Sequence, residues 1–288
     1  MNSVALPNRR VEAWKYSDLR AALLDETLVL REGRDIIERL APGTQRSAVE
    51  AGAKRLFVER LDSKYLDARA FDFTLEPGAE LTRIVIQDGA AFPLSMARVR
   101  VGEGARYRQF VLAEGAKLAR IETHVDVEGE GAEVELNGVY LSGASRHADL
   151  TSVITHKAAS GVTRQLIKGV ARKGGRGVFQ GKIVVERGAQ KTDARQYHHG
   201  LLLEDGAEIF AKPELMIHAD DVQCAHGNTA GGLDGSALFY MRSRGVPETE
   251  ARALLVEAFL VEAIPENLSA ELDREIRARI AAWLGRKS

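Results

Sequence analysis

Alternation of apolar and polar residues dominates the middle of the chain. Within residues 121–128, apolar or small residues alternate with Glu122, His124, Asp126 and Glu128. Shorter segments around Val99 and Val134 show the same pattern. A period of two residues is typical of a strand with one buried face. The sequence therefore predicts a mainly β region over residues 54–235.

Gly-Ala turns recur between these predicted strands at a long and nearly constant period. Every second turn follows after 26, 26, 27 and 28 residues along the series Gly78, Gly89, Gly104, Gly115, Gly131 and Gly143. A repeat of two strands and two turns is the signature of a solenoid, and glycine suits the corners because it accepts positive φ. A meander of hairpins is the alternative, but it requires no common period. The sequence favours a parallel β-helix.

Both flanks show helical patterns. The N-terminal segment, residues 1–53, suggests short helices near residues 18–30 and 35–40. In the C-terminal region, residues 236–288, Asp234 is a suitable N-cap for a helix that ends at Gly245.

Two longer helices are predicted beyond Gly245. The first begins at Pro247 and carries a stripe of Ala251, Leu254, Leu255, Ala258 and Phe259. The second follows Pro265 and carries Leu268, Leu272, Ile276, Ile280 and Leu284, with Trp283 beside them. We expect these helices to cover the last coil of the solenoid. Docking of a partner is the alternative, and both roles are compatible.

Composition excludes several classes of function. The net charge of −1 gives no electrostatic footprint for nucleic acid. No apolar run is long enough for a membrane span. The first twenty residues lack a signal-peptide pattern and the chain has a single cysteine, so we expect a cytoplasmic protein.

No enzymatic motif stands out. The glycine-rich segment 174–182 has Arg176 where a nucleotide-binding loop needs glycine, so we expect this chain to bind no nucleotide. Clustered acids would indicate a sugar-cleaving β-helix. Here the acids Glu122, Asp126 and Glu128 alternate with apolar residues, so we expect them to form a solvated outer face.

Cys224 and His226 are the residues that could bind a metal. On an extended backbone they share a face, and thiolate with imidazole suits zinc or iron. His218 and Asp220 lie shortly before them. The adjacent His198 and His199 point to opposite faces of a strand and cannot chelate together. By itself the pair is a weak signal, since a lone cysteine is more often buried packing.

The residues around this pair resemble a known family. The run CAHGNTAGGLD from Cys224 to Asp234, followed by ALFYMRSRG to Gly245, is similar to the SufB/SufD family of iron–sulfur cluster assembly subunits. The Cys-x-His-Gly run resembles the SufD branch rather than SufB. Near the N-terminus, LPNRRVEAWKYSDL resembles the family's opening motif. Two features depart from the family: Asn228 stands where alanine is usual, and the chain is shorter before the first coils.

The resemblance implies a right-handed parallel β-helix with short N-terminal helices and a C-terminal helical region. It implies a non-catalytic scaffold that pairs with a SufB-like subunit and binds a SufC-like ATPase at residues 247–284. His226 matches a family histidine at the subunit interface, where it is expected to bind iron together with ligands of the partner. Cys224 matches a nearby cysteine whose role as ligand, sulfur relay or buried residue stays open. The cofactor implied is a transient iron–sulfur cluster shared with the partner.

Two other interpretations of the sequence remain open. A β-helix carbohydrate-active enzyme would need acids that converge on one groove. A structural solenoid that associates with itself would leave Cys224 buried and inert. A homodimer in the absence of a partner is also compatible with an exposed sheet edge.

Overall fold

The computed structural model describes residues 6–24, 28–89 and 91–285. These residues form fourteen strands, five α-helices and a 3-10 turn at Glu12–Trp14. The strands are β1 Thr44–Val49, β2 Lys54–Leu61, β3 Leu66–Leu75, β4 Glu80–Gln87, β5 Phe92–Val101, β6 Arg106–Ala113, β7 Ala119–Val127, β8 Glu133–Ser142, β9 His147–His156, β10 Val162–Ala171, β11 Arg176–Val185, β12 Asp193–Leu202, β13 Glu208–Ile217 and β14 Gln223–Gly231. The helices are α1 Leu19–Ala22, α2 Ile36–Leu40, α3 Gly235–Ser243, α4 Glu248–Val261 and α5 Ala270–Gly285.

Each strand pairs in parallel with the strand two places later in the chain. The odd-numbered strands form one seven-stranded sheet, here sheet A, and the even-numbered strands form a second one, sheet B. Val99 of β5 lies beside Val125 of β7, which lies beside Ile154 of β9. Consecutive strands therefore belong to opposite sheets and form the coils of a parallel β-solenoid. The predicted fold class is confirmed, and the hairpin meander is excluded.

The interior is filled by every second residue of each strand, as the alternating pattern predicts. Rows of valine, leucine and isoleucine from sheet A meet Leu81, Tyr107 and Val134 of sheet B in one continuous cluster. Four of the six glycines in the turn series have positive φ, between 59° and 69°: Gly78, Gly104, Gly115 and Gly131. Gly89 serves close packing instead, since a Cβ there would lie 2.6 Å from the carbonyl oxygen of Ser63.

A segment before β1 forms a strap over the outer face of sheet A. This N-terminal strap, residues 8–23, packs Trp14, Leu19 and Leu23 on apolar residues of β5. Farther along the sheet, the Tyr16 ring stacks on Phe210 of β13 at 5.2 Å between ring centroids. The helix expected over residues 18–30 is reduced to α1 because one turn suffices to bury Leu19 and Leu23. Residues 25–27 of that prediction lie outside the described residues.

A charged network lies buried beneath the strap. Arg120 places its Nε 2.8 Å from a Glu122 oxygen and its Nη1 2.7 Å from an Asp149 oxygen, and the Trp14 ring covers the guanidinium. Burial favours a raised pKa for Glu122, but the Arg120 charge outweighs it and lowers that pKa to about 2. The prediction of a solvated face is therefore wrong at Glu122, because alternation does not reveal a second layer over the sheet. The other acids of the segment stay partly exposed: Asp126 and Glu128.

Helices α4 and α5 lie along the outer face of sheet B. Val256 and Leu260 of α4, and Ile276 and Ile280 of α5, pack on outward-facing residues of the even-numbered strands, among them Ile84, Phe110, Val139 and Val170. The predicted stripe of α5 is confirmed. The expectation that these helices cover the last coil is wrong. They cover the side of the solenoid because its even-numbered strands are apolar on both faces.

The predicted stripe of α4 is only partly buried. Ala251 is buried, but Leu254 is 45% exposed and the helix turns Val256 and Leu260 inward instead. α3 begins as predicted, with the Asp234 side chain accepting from the N–H groups of Ser236 and Ala237. No helix in the described segments has the length and apolar character needed to cross a membrane.

The first sheet strand precedes the region in which the sequence predicted the solenoid. β1 pairs with β3 although it lies before residue 54. The sequence of β1 shows no clear alternation of apolar and polar residues, because Val49 is its only fully buried residue. The division into residues 1–53, 54–235 and 236–288 stays a prediction.

Close stacking of the corners predicts a large effect at Gly129. A Cβ added there would lie 1.9 Å from the backbone nitrogen of Glu103 in the next corner. We expect Gly129→Ala to lower the free energy of unfolding by at least about 2 kcal/mol. Gly188→Ala is the matched control, because its nearest neighbour would be 3.7 Å away. Urea denaturation of both variants measures the difference, and equal midpoints would contradict the packing argument.

Candidate functional site at the open end of the solenoid

The solenoid ends with β13 and β14, and no described strand continues either sheet beyond them. The side chains on the interior face of β14 are therefore largely exposed, whereas those of β12 lie between two neighbouring coils and are buried. In the register, Cys224, His226 and Asn228 lie beside residues of β12 that are fully buried: Ala194, Gln196 and His198. These three β14 side chains continue the interior row of sheet B to an exposed end.

The backbone of β14 is also unpaired on this side. The N–H of Gln223 donates to Thr192 at 2.9 Å, so the peptide groups of Gln223 face the preceding strand. Successive residues of a strand direct their peptide groups to opposite edges. The N–H and C=O groups of Cys224, His226 and Asn228 therefore point to the open edge.

On sheet A, the open edge belongs to β13. The N–H of Glu208 donates to Gly175 at 3.0 Å, so the even-numbered residues of β13 pair with β11. Pro213 falls on the open edge, where its missing N–H interrupts no hydrogen bond. Both edges thus offer a pattern of backbone donors and acceptors to another strand.

Cys224 is half-buried against the interior. Its side chain packs on the main core cluster. Burial raises the pKa of the Cys224 thiol, and the nearby backbone N–H of Ala194 opposes that change only in part. A thiol in this setting is mostly protonated at neutral pH, which makes it a weak nucleophile by itself.

His226 is exposed on the same face as Cys224, as the sequence predicted. His218 and Asp220 lie in the turn before β14. Among the described residues, no group of three or more histidine, cysteine or acidic side chains could hold a metal ion. Iron–sulfur clusters take about four protein ligands. Cys224 and His226 could therefore supply only part of a ligand set.

Asn228 is joined to the interior by a chain of hydrogen bonds. Its Oδ1 lies 2.7 Å from Nδ1 of His198, and Nε2 of His198 lies 2.9 Å from the Tyr140 hydroxyl. His198 is fully buried, and burial lowers its pKa to about 4. The imidazole is therefore neutral at pH 7.

The sequence reasoning missed this connection. It considered His198 only as a chelating partner of His199, and the two do face opposite ways: His199 contacts Thr229 on the outer face. The signal was the alternation of Ala194, Gln196 and His198 in one strand. It marks His198 as an interior residue that requires polar partners.

A second exposed feature lies on the helices that follow β14. Phe239 and Tyr240 of α3 are 72% and 59% exposed, and Leu254 of α4 is 45% exposed. α3 contacts α4 and begins four residues after the end of β14. Exposed apolar residues therefore lie on the two helices that follow the strand carrying Cys224 and His226 in the chain.

Comparison with known proteins finds a family whose sequence model matches most of this chain. Residues 46–259 match the sequence model of a family described as SUF system FeS cluster assembly, SufBD core domain. The match covers β1 in part, all later strands, α3 and most of α4.

Individual relatives agree with the family match. The chain is 33% identical to an iron–sulfur cluster assembly SufBD family protein of Synechocystis over 74% of its own length and 48% of that protein. It is 28% identical to the iron–sulfur cluster assembly protein SufD of Escherichia coli, over 85% of this chain and 57% of that protein. A SufBD family protein of Mycobacterium bovis is 27% identical over 96% and 74%. The chain spans about half the length of the first two relatives.

The surroundings of Cys224 predict slow alkylation. Because burial raises the pKa of its thiol, the thiolate fraction at pH 7.5 is lower than in an unfolded chain. We expect iodoacetamide to react roughly threefold or more slowly with the folded protein than with the urea-unfolded protein. Mass spectrometry follows the reaction at this single cysteine. A folded chain that reacts as fast as the unfolded one would contradict the assignment.

Proposed function

The chain belongs to the SufBD core family of the SUF iron–sulfur cluster assembly system, and from this membership we propose that it is a non-catalytic scaffold subunit. In this proposal the open end of its solenoid pairs with a SufB-like subunit. The two chains together hold a nascent iron–sulfur cluster as cargo, and a SufC-like ATPase binds to the C-terminal helices of this chain.

One observation carries the proposal: Cys224 and His226 lie together on an interior row that ends at an unpaired edge. An imidazole and a thiol are suitable iron ligands, but two of them are too few. In the proposed complex, His226 binds or positions iron and the partner supplies most of the thiolates. Cys224 is then either a further ligand or a residue that receives sulfur.

The open edges support pairing with another strand. Strand addition uses unpaired backbone groups of this kind and takes its specificity from alternate side chains. The opposite end of the solenoid is less suitable, because β2 carries several charged residues there, including Lys54 and Arg55. Arg55 also bonds to Ser47 of β1 across that end. Charged edges of this type usually resist pairing. When no partner subunit is present, we propose that the open end of a second copy of this chain takes its place, which gives a homodimer.

The exposed surface of α3 and α4 supports binding of the ATPase. α5 is held on sheet B by Ile276 and Ile280, so within residues 247–284 the available residues lie on α4, next to those of α3. Because α3 follows β14 directly, a shift of the bound ATPase would act on the strand that carries His226.

The structure gives the carbohydrate-active alternative little support. Its candidate acid Glu122 is buried under the N-terminal strap and paired with Arg120. A general acid needs a raised pKa near the operating pH, whereas the pKa of Glu122 is lowered to about 2. The self-associating solenoid with an inert cysteine is the remaining alternative. It predicts that substitution of His226 leaves the cluster content unchanged, whereas the scaffold proposal predicts a loss.

Substitution of His226 tests the scaffold proposal. In a complex reconstituted with SufB-like and SufC-like subunits, we expect His226→Ala to lower the iron and sulfide content per complex roughly tenfold. His218→Ala is the matched control, since His218 is also an exposed histidine but lies in the preceding turn. An unchanged cluster yield in His226→Ala, with complex assembly intact, would remove the assigned role.

A surface substitution tests the ATPase site better than a truncation. Deletion of residues 247–288 would uncover the apolar face of sheet B and destabilise the protein. We expect Phe239→Asp to weaken binding of the SufC-like ATPase about 30-fold or more, as for a central interface aromatic residue. Tyr65→Asp is the control, because Tyr65 is 79% exposed and lies in the β2–β3 turn. Equal affinities by isothermal titration calorimetry would place the ATPase elsewhere.

A further inference from the structure

Tyr140, His198 and Asn228 form a polar chain through the interior of sheet B. They belong to β8, β12 and β14, so the chain of side chains crosses the strands from the buried middle of the solenoid to its open end. Tyr140 and His198 are both fully buried. Asn228 is exposed at the end of the row.

The hydrogen-bond roles along this chain follow from the acceptor at its end. Oδ1 of Asn228 can only accept, so Nδ1 of His198 must carry the proton. With its Nδ1 protonated and its pKa lowered to about 4 by burial, the imidazole is neutral and Nε2 is an acceptor. The Tyr140 hydroxyl therefore donates to Nε2. With the amide in this orientation each group has one role, and His198 is the Nδ1–H tautomer.

The ring positions are held by close packing. His198 stacks between Phe179, at 5.2 Å between centroids, and Tyr140, at 5.9 Å. The Tyr140 ring occupies the space in front of two glycines of neighbouring strands. A Cβ at Gly169 would lie 1.8 Å from this ring, and one at Gly177 would lie 2.1 Å from it. The Tyr140 ring therefore packs directly against the backbone of two glycines, which leave it the space that a side chain would fill.

In this arrangement the Asn228 amide directs its Oδ1 to His198. With Oδ1 bound to His198, the two N–H groups of Nδ2 are the part of the side chain that remains, and they have no hydrogen-bond partner among the described residues. Alternation puts Asn228 on the face of His226, two residues away along the strand. That separation is about 6.6 Å. An amide donor is thus presented beside the candidate iron ligand.

We propose that Asn228 contacts the cargo of the open end as a hydrogen-bond donor, and that His198 and Tyr140 act as positioning residues for its amide. This inference rests on the proposed function. The chemical class that it selects is a sulfur anion: inorganic sulfide or the bridging sulfide of a cluster. Hydrogen bonds to cluster sulfur stabilise the more negative, reduced state. Asn228 thereby raises the reduction potential of a cluster bound at His226.

The test uses the complete complex with SufB-like and SufC-like subunits and compares reduction potentials by an optical redox titration. Asn228→Ala removes the donor, and its potential is expected to shift in the negative direction. Asn228→Asp keeps an acceptor for His198 but replaces the donor by a negative charge, so it is expected to shift farther. Tyr140→Phe frees the His198 tautomer and is expected to give a smaller shift of the same sign. His218→Ala is the control and is expected to match the wild type.

The outcomes separate this inference from the function on which it rests. If the cluster in Asn228→Asp has the wild-type reduction potential, the amide only holds the strand in place and its proposed donor role is overturned. If Asn228→Ala also matches it while His226→Ala loses the cluster, the inference falls and the scaffold function stands. If His226→Ala retains the cluster, both fall.

The isolated chain gives an independent readout of the positioning chain. Nitrogen NMR of the histidine rings should show His198 as the Nδ1–H tautomer at pH 7, and Tyr140→Phe should reduce that preference. A dominant Nε2–H tautomer in the wild type would overturn the proposed orientation of the amide.

Discussion

Pairing of each strand with the strand two places away is the constraint on which the whole molecule depends. It places every second side chain in a common interior and satisfies the backbone of each coil with the two coils beside it. An inner coil has a neighbour on both sides, but the last coil has only one. The exposed backbone and the exposed row of Cys224, His226 and Asn228 are direct results of that arrangement. The candidate site therefore consists of interior positions of the solenoid that are exposed because no further coil covers them.

The two outer faces of the solenoid are closed in different ways. Sheet A carries a buried charge network under the N-terminal strap, in which Arg120 binds Glu122 and Asp149. Sheet B carries apolar rows under α4 and α5, with a hydrogen bond from Arg172 to the carbonyl of Leu284 near the end of α5. Among the described residues, neither the strap nor α5 covers the open end of the solenoid or the exposed part of α3 and α4. The scaffold proposal assigns the partner subunit to the first of these surfaces and the ATPase to the second.

Local patterns predicted much of this fold. The alternation in residues 121–128 and the paired glycine spacings identified strands and coils, because both reflect the interior contacts that a solenoid repeats. The apolar residues of α5 likewise predicted its buried face. Burial at Glu122 was not predictable, because it depends on Trp14, more than a hundred residues earlier in the chain. The position of α4 and α5 was missed for a similar reason: the apolar outer face of sheet B forms only when the even-numbered strands of successive coils lie side by side.

The candidate site was predicted in part. Cys224 and His226 share a face because strand alternation is a local property, and the resemblance pointed to the same pair. The link from Asn228 to Tyr140 could not be found in this way, since it joins strands of different coils through side-chain hydrogen bonds. Residue 140 lies near residue 198 only because the coils stack in register.

The N-terminal strap also has a consequence for how the chain is made. Glu12 binds Lys212, 200 residues later, and Gln180 bonds to Ala13 across 167 residues. At ordinary rates of synthesis, the ribosome needs about 10–40 s to make the residues that separate Glu12 from Lys212. The strap is thus made before the coils that it covers, and it is one of the last segments to find its place. The contacts of Glu12 with Lys212 and of Tyr16 with Phe210 can form only after β13 has been made, so docking of the strap is completed after the coils beneath it have been built.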